Sequence, residues 1–386
     1  MIKKITFLIL LVSFTLQAQI PTGYYDHATG ASYTLKTQLK RIINSTNDPE
    51  ITVNEYFHSP QSYGDLWSLY ETSDSRPNPN YDVSIPANGP EFYVWEMYSD
   101  CDFIFGPVAS GGQQDNGTLG NSECQLFNRE HTFPRSWYGD GSNHPMKSDA
   151  FHVIPSDKYT NGQRGNLAYS EVNTSLSHSS PGTAFKGTSS ISGPTGTVFE
   201  PADQYKGDIA RGLLYVAVRY EDEIAGWETN DSDGDSMLDG TSNKVFEQWA
   251  IDMLYSWHVN DPVSQKEIDR NNAIYNFQSN RNPFIDHPEY VAEIWGSVLA
   301  VDDYVANDFS IYPNPTHADI VYINKGNNTI KNLELYSISG KLILSKKINT
   351  SHSTITLDNL NSVASGMYLL KIQTDKNTVI KKLVIN

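Results

Sequence analysis

An α+β fold is predicted for this 386-residue chain, built as a mostly helical domain followed by a small all-β sandwich. Two observations carry the prediction. Between residues 30 and 296, apolar residues recur at three- and four-residue steps in several segments, as the buried stripe of a helix requires. From residue 309 onward they alternate with polar residues in short runs, as the two faces of a strand require. With 38% hydrophobic residues, the chain has enough apolar material for more than one core.

The chain opens on Lys3 and Lys4, an apolar run from Ile5 to Leu16, and a small residue at Ala18, which together predict a signal peptide over residues 1–18. That run is shorter than the roughly 20 residues that span a bilayer, and no later segment comes closer, so no transmembrane segment is expected in the mature chain. Export places Cys101 and Cys124 in an oxidising environment, where a disulfide between them is the favoured reading over two free thiols. A zinc site is disfavoured by the absence of Cys-x-x-Cys spacing.

Leu35, Leu39, Ile42 and Ile43 predict a first helix over 30–45, followed to Tyr98 by an aromatic, loop-rich stretch. The Gly-, Gln- and Asn-rich run 106–120 predicts a long surface loop between the cysteines. Ile209, Leu213, Val216, Tyr220 and Ile224 predict an amphipathic helix. Further helices are expected over 244–257, over 262–278 with Pro262 in the first turn, and over 288–295, ending at Gly296. Strands are expected at 320–323, 333–338, 342–344, 354–357, 367–372 and 379–385. The resulting layout is a first domain over 19–300, a linker over 301–308 and a second domain over 309–386, richer in lysine than the acidic part before it.

The second domain carries Phe309-Ser-Ile-Tyr-Pro-Asn-Pro315, Leu335-Tyr-Ser-Ile-Ser-Gly-Lys341 and Gly366-Met-Tyr-Leu-Leu-Lys-Ile372. On these residues it resembles the type A C-terminal sorting domain of the type IX secretion system. The resemblance implies type IX machinery as a partner, passage through the outer membrane, and a protein that is secreted or held at the cell surface.

The chemistry concentrates between Phe127 and Glu171, in Asn128-Arg-Glu-His-Thr-Phe-Pro134, Asp149-Ala-Phe-His-Val-Ile-Pro155 and Asn161-Gly-Gln-Arg-Gly-Asn166. His131 offers a base whose ordinary pKa lies near neutrality. For a phosphodiester substrate a hard cation must offset developing charge, and magnesium takes oxygen ligands while keeping several waters. Glu130 supplies a carboxylate and Asn161 an amide oxygen. Successive strand residues point to opposite faces, so Glu130 and His131 can share a site only where the strand ends or bulges, and Pro134 is consistent with an end.

These segments look like the endonuclease I family, whose core is the ββα-metal, or His-Me finger, motif. The resemblance extends over about residues 30–296, including Glu200-Pro-Ala-Asp-Gln-Tyr-Lys-Gly-Asp-Ile-Ala-Arg211 and Asn280-Arg-Asn-Pro-Phe-Ile-Asp-His-Pro-Glu-Tyr-Val291. It implies His131 as general base, Glu130 and Asn161 as ligands of one magnesium ion, and Arg164 and Asn166 as organisers of phosphate binding. The implied reaction is attack by water with little sequence preference, leaving a 5′-phosphate and a free 3′-hydroxyl, with DNA and RNA both open as substrates. Arg129 and Arg135 are further candidates for phosphate contact. The family's usual Asp-Leu-His-Asn-Leu is Asp149-Ala-Phe-His-Val153 here.

A net charge of −17 counts against nucleic-acid binding and predicts weak, salt-sensitive association. Asp231, Asp233, Asp235 and Asp239 are spaced like a calcium loop, yet Ser236 and Ser242 stand where an EF-hand needs Gly and Glu. His144, His152 and His178 match no zinc spacing and are read as structural. A zinc peptidase is excluded by the lack of His-Glu-x-x-His and by Phe127 where the inverted motif needs histidine. The remaining rival is a secreted, non-catalytic protein that binds glycan or nucleic acid; it would have no need of base, carboxylate and amide together.

Overall fold

The computed structural model describes residues 20–44, 58–117, 120–139, 144–178, 183–299 and, with short gaps, 310–385. The expected signal peptide and the 301–308 linker lie outside the described residues. The chain divides into two compact units, residues 1–300 and 301–386.

In the first unit the helices are α1 (Ser32–Asn44), α2 (Leu66–Ser73), α3 (Lys158–Arg164), α4 (Lys206–Arg219), α5 (Ser232–Met237), α6 (Gln248–Asn260), α7 (Gln265–Gln278), α8 (Pro283–Asp286) and α9 (Tyr290–Trp295). The strands are β1 (Ser75–Pro77), β2 (Phe92–Val94), β3 (Phe127–His131), β4 (Val153–Asp157), β5 (Val172–His178), β6 (Phe185–Ser189) and β7 (Thr197–Glu200). Two antiparallel pairs, β1-β2 and β3-β4, and a three-stranded sheet β5-β6-β7 result.

Helix α4 is the centre of this unit and packs against α1, α6 and α8. Its sequence spacing predicts an amphipathic helix, and in the fold every residue except Asp208 is buried. The charged residues can be buried because each has partners: Lys206 pairs with Glu171 and Glu200, Arg211 with Glu267, and Arg219 donates to His58. The helix stops at Arg219, short of Tyr220 and Ile224, although both of those are buried as the spacing requires. Gly207 is required where α4 meets the end of α6, since a Cβ there would lie 2.1 Å from the Asp261 carbonyl oxygen.

Helix α7 begins after Pro262, which is therefore not its first-turn residue. A capping box between Ser264 and Glu267 satisfies the first free amides and fixes the start at Gln265. The sequence reading assigns no strands to 172–200, where Ser, Thr and Gly dilute the alternation that announces a strand. The loop between the cysteines holds one short 3-10 turn, Val108–Ser110, with no buried residue. Cys101 and Cys124 are joined by a disulfide.

The second unit contains β8 (Ser310–Tyr312), β9 (Val321–Asn324), β10 (Ile330–Ser337), β11 (Leu342–Lys347), β12 (Thr354–Leu357), β13 (Gly366–Thr374) and β14 (Thr378–Ile385). They form a four-stranded sheet, β11-β10-β13-β14, and a three-stranded sheet, β12-β9-β8. Val321, Ile323, Ile355 and Leu357 of the smaller sheet share one apolar core with Leu333, Leu335, Leu370, Ile372 and Leu383 of the larger, which makes the unit a sandwich.

The disulfide closes a sequence separation of 23 residues. Replacing both cysteines by serine is expected to lower unfolding free energy by about 3 kcal/mol in a urea titration, from loop entropy regained by the unfolded chain.

Candidate active site

Strands β3 and β4 pair antiparallel, with Glu130 opposite Ile154 and His131 opposite Val153, and α3 follows β4 directly. Asp157 caps α3 by accepting from the Thr160 amide at 2.7 Å, and it also accepts from the Cys124 amide at 2.8 Å. The disulfide is thereby tied to the start of the helix.

Along β3 the period of two places Asn128 and Glu130 on one face, Arg129 and His131 on the other. Asn161 and Arg164, three residues apart on α3, share a helix face. The two faces meet in register: Asn161 Nδ2 donates to Asn128 Oδ1 at 2.9 Å, and Arg164 Nη1 donates to Glu130 Oε1 at 3.0 Å. With Nδ2 committed, the atom that Asn161 offers to an ion is Oδ1.

Glu130 Oε1 accepts a second bond from the Tyr98 hydroxyl at 2.9 Å, and Tyr98 is in turn hydrogen-bonded to Tyr169. Burial pushes the Glu130 carboxyl up to about 7, against the pull of Arg164 and Tyr98. Arg164 is wholly buried, and its other bonds go to the backbone carbonyls of His131 at 2.9 Å and Thr132 at 2.7 Å. Its guanidinium also lies 4.5 Å from the centre of the Tyr169 ring. Arg164, expected as an organiser of phosphate binding, is enclosed on all sides, where it holds Glu130 and the end of the strand.

Strand β3 ends at His131, as the sharing of one site by Glu130 and His131 demands. His131 Nε2 lies 3.0 Å from the Lys147 carbonyl oxygen. A carbonyl can only accept, so Nε2 carries the proton and Nδ1 is left unprotonated. Burial, reinforced by neighbouring His152, holds the ring well below its ordinary pKa, which keeps it unprotonated at neutral pH. Tyr63 stacks on this ring at 5.6 Å, and Arg129 lies 3.5 Å from the centre of the Tyr63 ring and 4.3 Å from that of Trp67. Arg129 is thus held flat beside the base, and Arg135 is half-buried four residues beyond His131. Asn166 is exposed; its Nδ2 lies 3.4 Å from Asp231 Oδ2, and its carbonyl accepts from Trp137 Nε1 at 3.2 Å.

The segment that supplies the Lys147 carbonyl is anchored by Asp149. Asp149 Oδ2 accepts from the Tyr215 hydroxyl at 3.0 Å and the Tyr220 hydroxyl at 2.9 Å, and Oδ1 accepts from Gln278 Nε2 at 2.8 Å. Burial opposes its charge, but His58, His152 and Arg219 nearby hold the Asp149 carboxyl below its ordinary pKa.

The four aspartates spaced like a calcium loop follow another path. Asp231 caps α5, Asp233 and Asp235 fall in its first turn, and Asp239 accepts from the Thr241 amide and pairs with Lys244. Among the described residues, no three His, Cys, Asp or Glu side chains gather so as to hold a metal ion. The spacing that suggested a loop reads here as a capped helix start, where carboxylates favour the first turn.

A sequence model of the endonuclease I family matches residues 31–289. The chain belongs to this family. The nuclease is 31% identical over 277 residues to an extracellular ribonuclease of Bacillus amyloliquefaciens, covering 70% of this chain and 78% of that one. An extracellular ribonuclease of Bacillus subtilis (strain 168) gives the same identity and coverage. A 91-residue stretch, 23% of this chain, is 31% identical to 16% of an ulvan lyase of Nonlabens ulvanivorans. Residues 310–386 match the secretion system C-terminal sorting domain. This hydrolytic nuclease is therefore exported by the type IX route to the cell surface or beyond, and none of its described helices is long and apolar enough to cross a membrane.

Sequence reasoning missed Tyr63, Tyr98, Asn128, Tyr169 and the Lys147 carbonyl. Only Asn128 left a signal, standing two residues before Glu130 and so on the same strand face. Lys147 and Tyr169 lie within the Phe127–Glu171 stretch with no local pattern to mark them, and Tyr63 and Tyr98 reach the site from distant segments.

Arg164→Met is expected to destabilise the nuclease by about 3–5 kcal/mol in urea titration, because Glu130 is left buried without its cation. A loss below about 1 kcal/mol would count against a tightly held pair. A pH effect is expected at His58, whose ring burial lowers to about 4 from 6.5. The unfolded chain takes up this proton as pH falls through 6.5, the folded chain only near 4, so stability falls with pH across that window. His58→Gln should reduce the slope of unfolding free energy against pH there by up to about 1.4 kcal/mol per unit; an unchanged slope would show that His58 is already charged in the fold.

Proposed function

We propose that this nuclease is a magnesium-dependent endonuclease that hydrolyses phosphodiester bonds of DNA and RNA with little sequence preference, leaving 5′-phosphate and 3′-hydroxyl ends. The observation that carries the reading is the pairing of a tautomer-fixed His131 with Glu130 at the end of β3. The order of β3, β4 and α3 along the chain supports a ββα-metal core. The printed name of the two Bacillus relatives supports RNA among the substrates.

The donor set fits a hard cation. Glu130 and Asn161 offer oxygen alone, and two protein ligands suit an ion that keeps most of its water, whereas a structural zinc site would need about four nitrogen or sulfur ligands. Bound magnesium would supply the positive charge that offsets charge building on the phosphate and the leaving oxygen.

The chain's own residues do the rest. Arg164 and Tyr98 both donate to Glu130 Oε1, fixing the carboxylate and leaving Oε2 for the ion. Asn128 holds the Asn161 amide so that its oxygen is presented. His131 Nδ1 takes the proton of the attacking water, while the Lys147 carbonyl keeps the ring oriented and favours the imidazolium that forms. Arg129 and Arg135 provide local positive charge on an acidic protein, so substrate binding should weaken steeply with salt.

The test is cleavage of plasmid DNA and of RNA by the full chain, with magnesium and with EDTA, beside His131→Ala. Cutting that EDTA abolishes, and that the substitution lowers by about 10²- to 10⁴-fold, is expected. Equal cutting by both forms would overturn His131 as the base, and cutting that persists in EDTA would overturn the metal requirement.

A further inference from the structure

Three histidines frame the turn that carries the Lys147 carbonyl. The turn is the 3-10 segment Pro145–Ser148. At its head, His144 Nδ1 accepts from the Met146 amide at 3.2 Å, while its Nε2 lies 2.8 Å from Glu223 Oε2. His152 Nε2 lies 2.6 Å from the Met146 carbonyl oxygen. The Met146 residue is therefore gripped at both its N–H and its C=O. The next carbonyl along, that of Lys147, is the one that receives His131 Nε2–H at 3.0 Å.

His152 is wholly buried, and its ring centre lies 5.6 Å from that of His131. Its backbone carbonyl accepts from both the amide and the hydroxyl of Thr132, the residue that follows the base. Among the described residues its Nδ1 has no hydrogen-bond partner. A buried imidazole that makes one ring hydrogen bond and leaves the other nitrogen bare is a costly way to fill space, since a phenyl ring would avoid the orphaned atom. What the imidazole adds is the donor aimed at the Met146 carbonyl.

We propose that His152 is a positioning residue for the cleavage reaction: by donating Nε2–H to the Met146 carbonyl it sets the Lys147 carbonyl where His131 must place its own proton on Nε2. Two neutral histidines donate to consecutive carbonyls of one turn, and the second donation leaves Nδ1 of His131 bare for the attacking water. The inference rests on the reading of His131 as the general base. Without the His152 bond the Met146 carbonyl is left with the longer bond from the Asp149 amide at 3.4 Å, and His131 can exchange between its two neutral tautomers, only one of which leaves Nδ1 unprotonated.

The experiment uses the full chain carrying ¹⁵N-histidine, with long-range ¹H–¹⁵N spectra that read which ring nitrogen bears the proton. In the unmodified protein both His131 and His152 are expected neutral and protonated at Nε2; a His152 protonated at Nδ1 overturns the proposal without any substitution. His152→Phe is expected to give His131 a mixed tautomer pattern and to lower kcat roughly 10- to 100-fold with KM near its starting value. His152→Gln, whose amide can still donate to the Met146 carbonyl, should restore the single pattern and most of kcat. A His152→Phe protein that keeps one His131 tautomer, whether its kcat falls or not, overturns the proposal. The parallel His131→Ala assay separates the two readings: if His131→Ala still cuts, the base assignment has failed, whatever His152 does to the spectra.

Discussion

Arg164 lies entirely out of solvent, and its hydrogen bonds reach Glu130 and the carbonyls of His131 and Thr132. One guanidinium thus joins the last turn of α3 to the last residues of β3, and everything chemical in the first unit is referred to that junction. The pair is held in a medium where a lone charge would be expensive, so the helix and the strand cannot separate without exposing or orphaning both ions. Tyr169 packs on the guanidinium and bonds to Tyr98, which reaches the same carboxylate. The arrangement gives Glu130 little freedom, as a ligand that must meet an ion at a set place requires.

The opposite face of β3 is organised by a second buried carboxylate. Asp149 gathers Tyr215 and Tyr220 from the central helix region and Gln278 from the end of α7. Its neighbours in sequence form the turn against which His131 leans. Glu130 and His131 are therefore positioned by separate networks, one through α3 and one through α4 and α7, which meet at a strand five residues long. Where β3 stops, the alternation of faces stops with it, and Glu130 and His131 can act on one phosphate.

The acidic composition and the site's chemistry are reconciled by where the positive charges go. Lys206, Arg211, Arg164 and Arg281 are paired inside the first unit and unavailable to substrate. Arg129 is the cation held against aromatic rings beside the base. An exported nuclease with this distribution carries its available positive charge locally and not as a general basic surface. The disulfide, tied through Asp157 to the start of α3, places the oxidising condition of export in contact with the element that carries Asn161 and Arg164.

The sequence by itself determined the two-part organisation and the family, because these rest on contiguous motifs and on local periodicity, and the same motifs nominated His131, Glu130 and Asn161 as candidates. Alternation in 321–385 foretold a sandwich, and the spacing from Ile209 found buried positions even past the helix end. Local pattern could not say that α4 is enclosed on every side, because burial of Lys206, Arg211 and Arg219 depends on partners up to 161 residues away. For the same reason it could not show that the fold encloses Arg164 against Glu130. Nor did the spacing of the aspartates from Asp231 show that an N-cap starts a helix there. Tertiary structure alone decided which carbonyl meets His131, which tyrosines meet Glu130 and which amide meets Asn161. Hydrogen bonds between distant segments leave no period in a sequence, and only a packed chain sets their geometry.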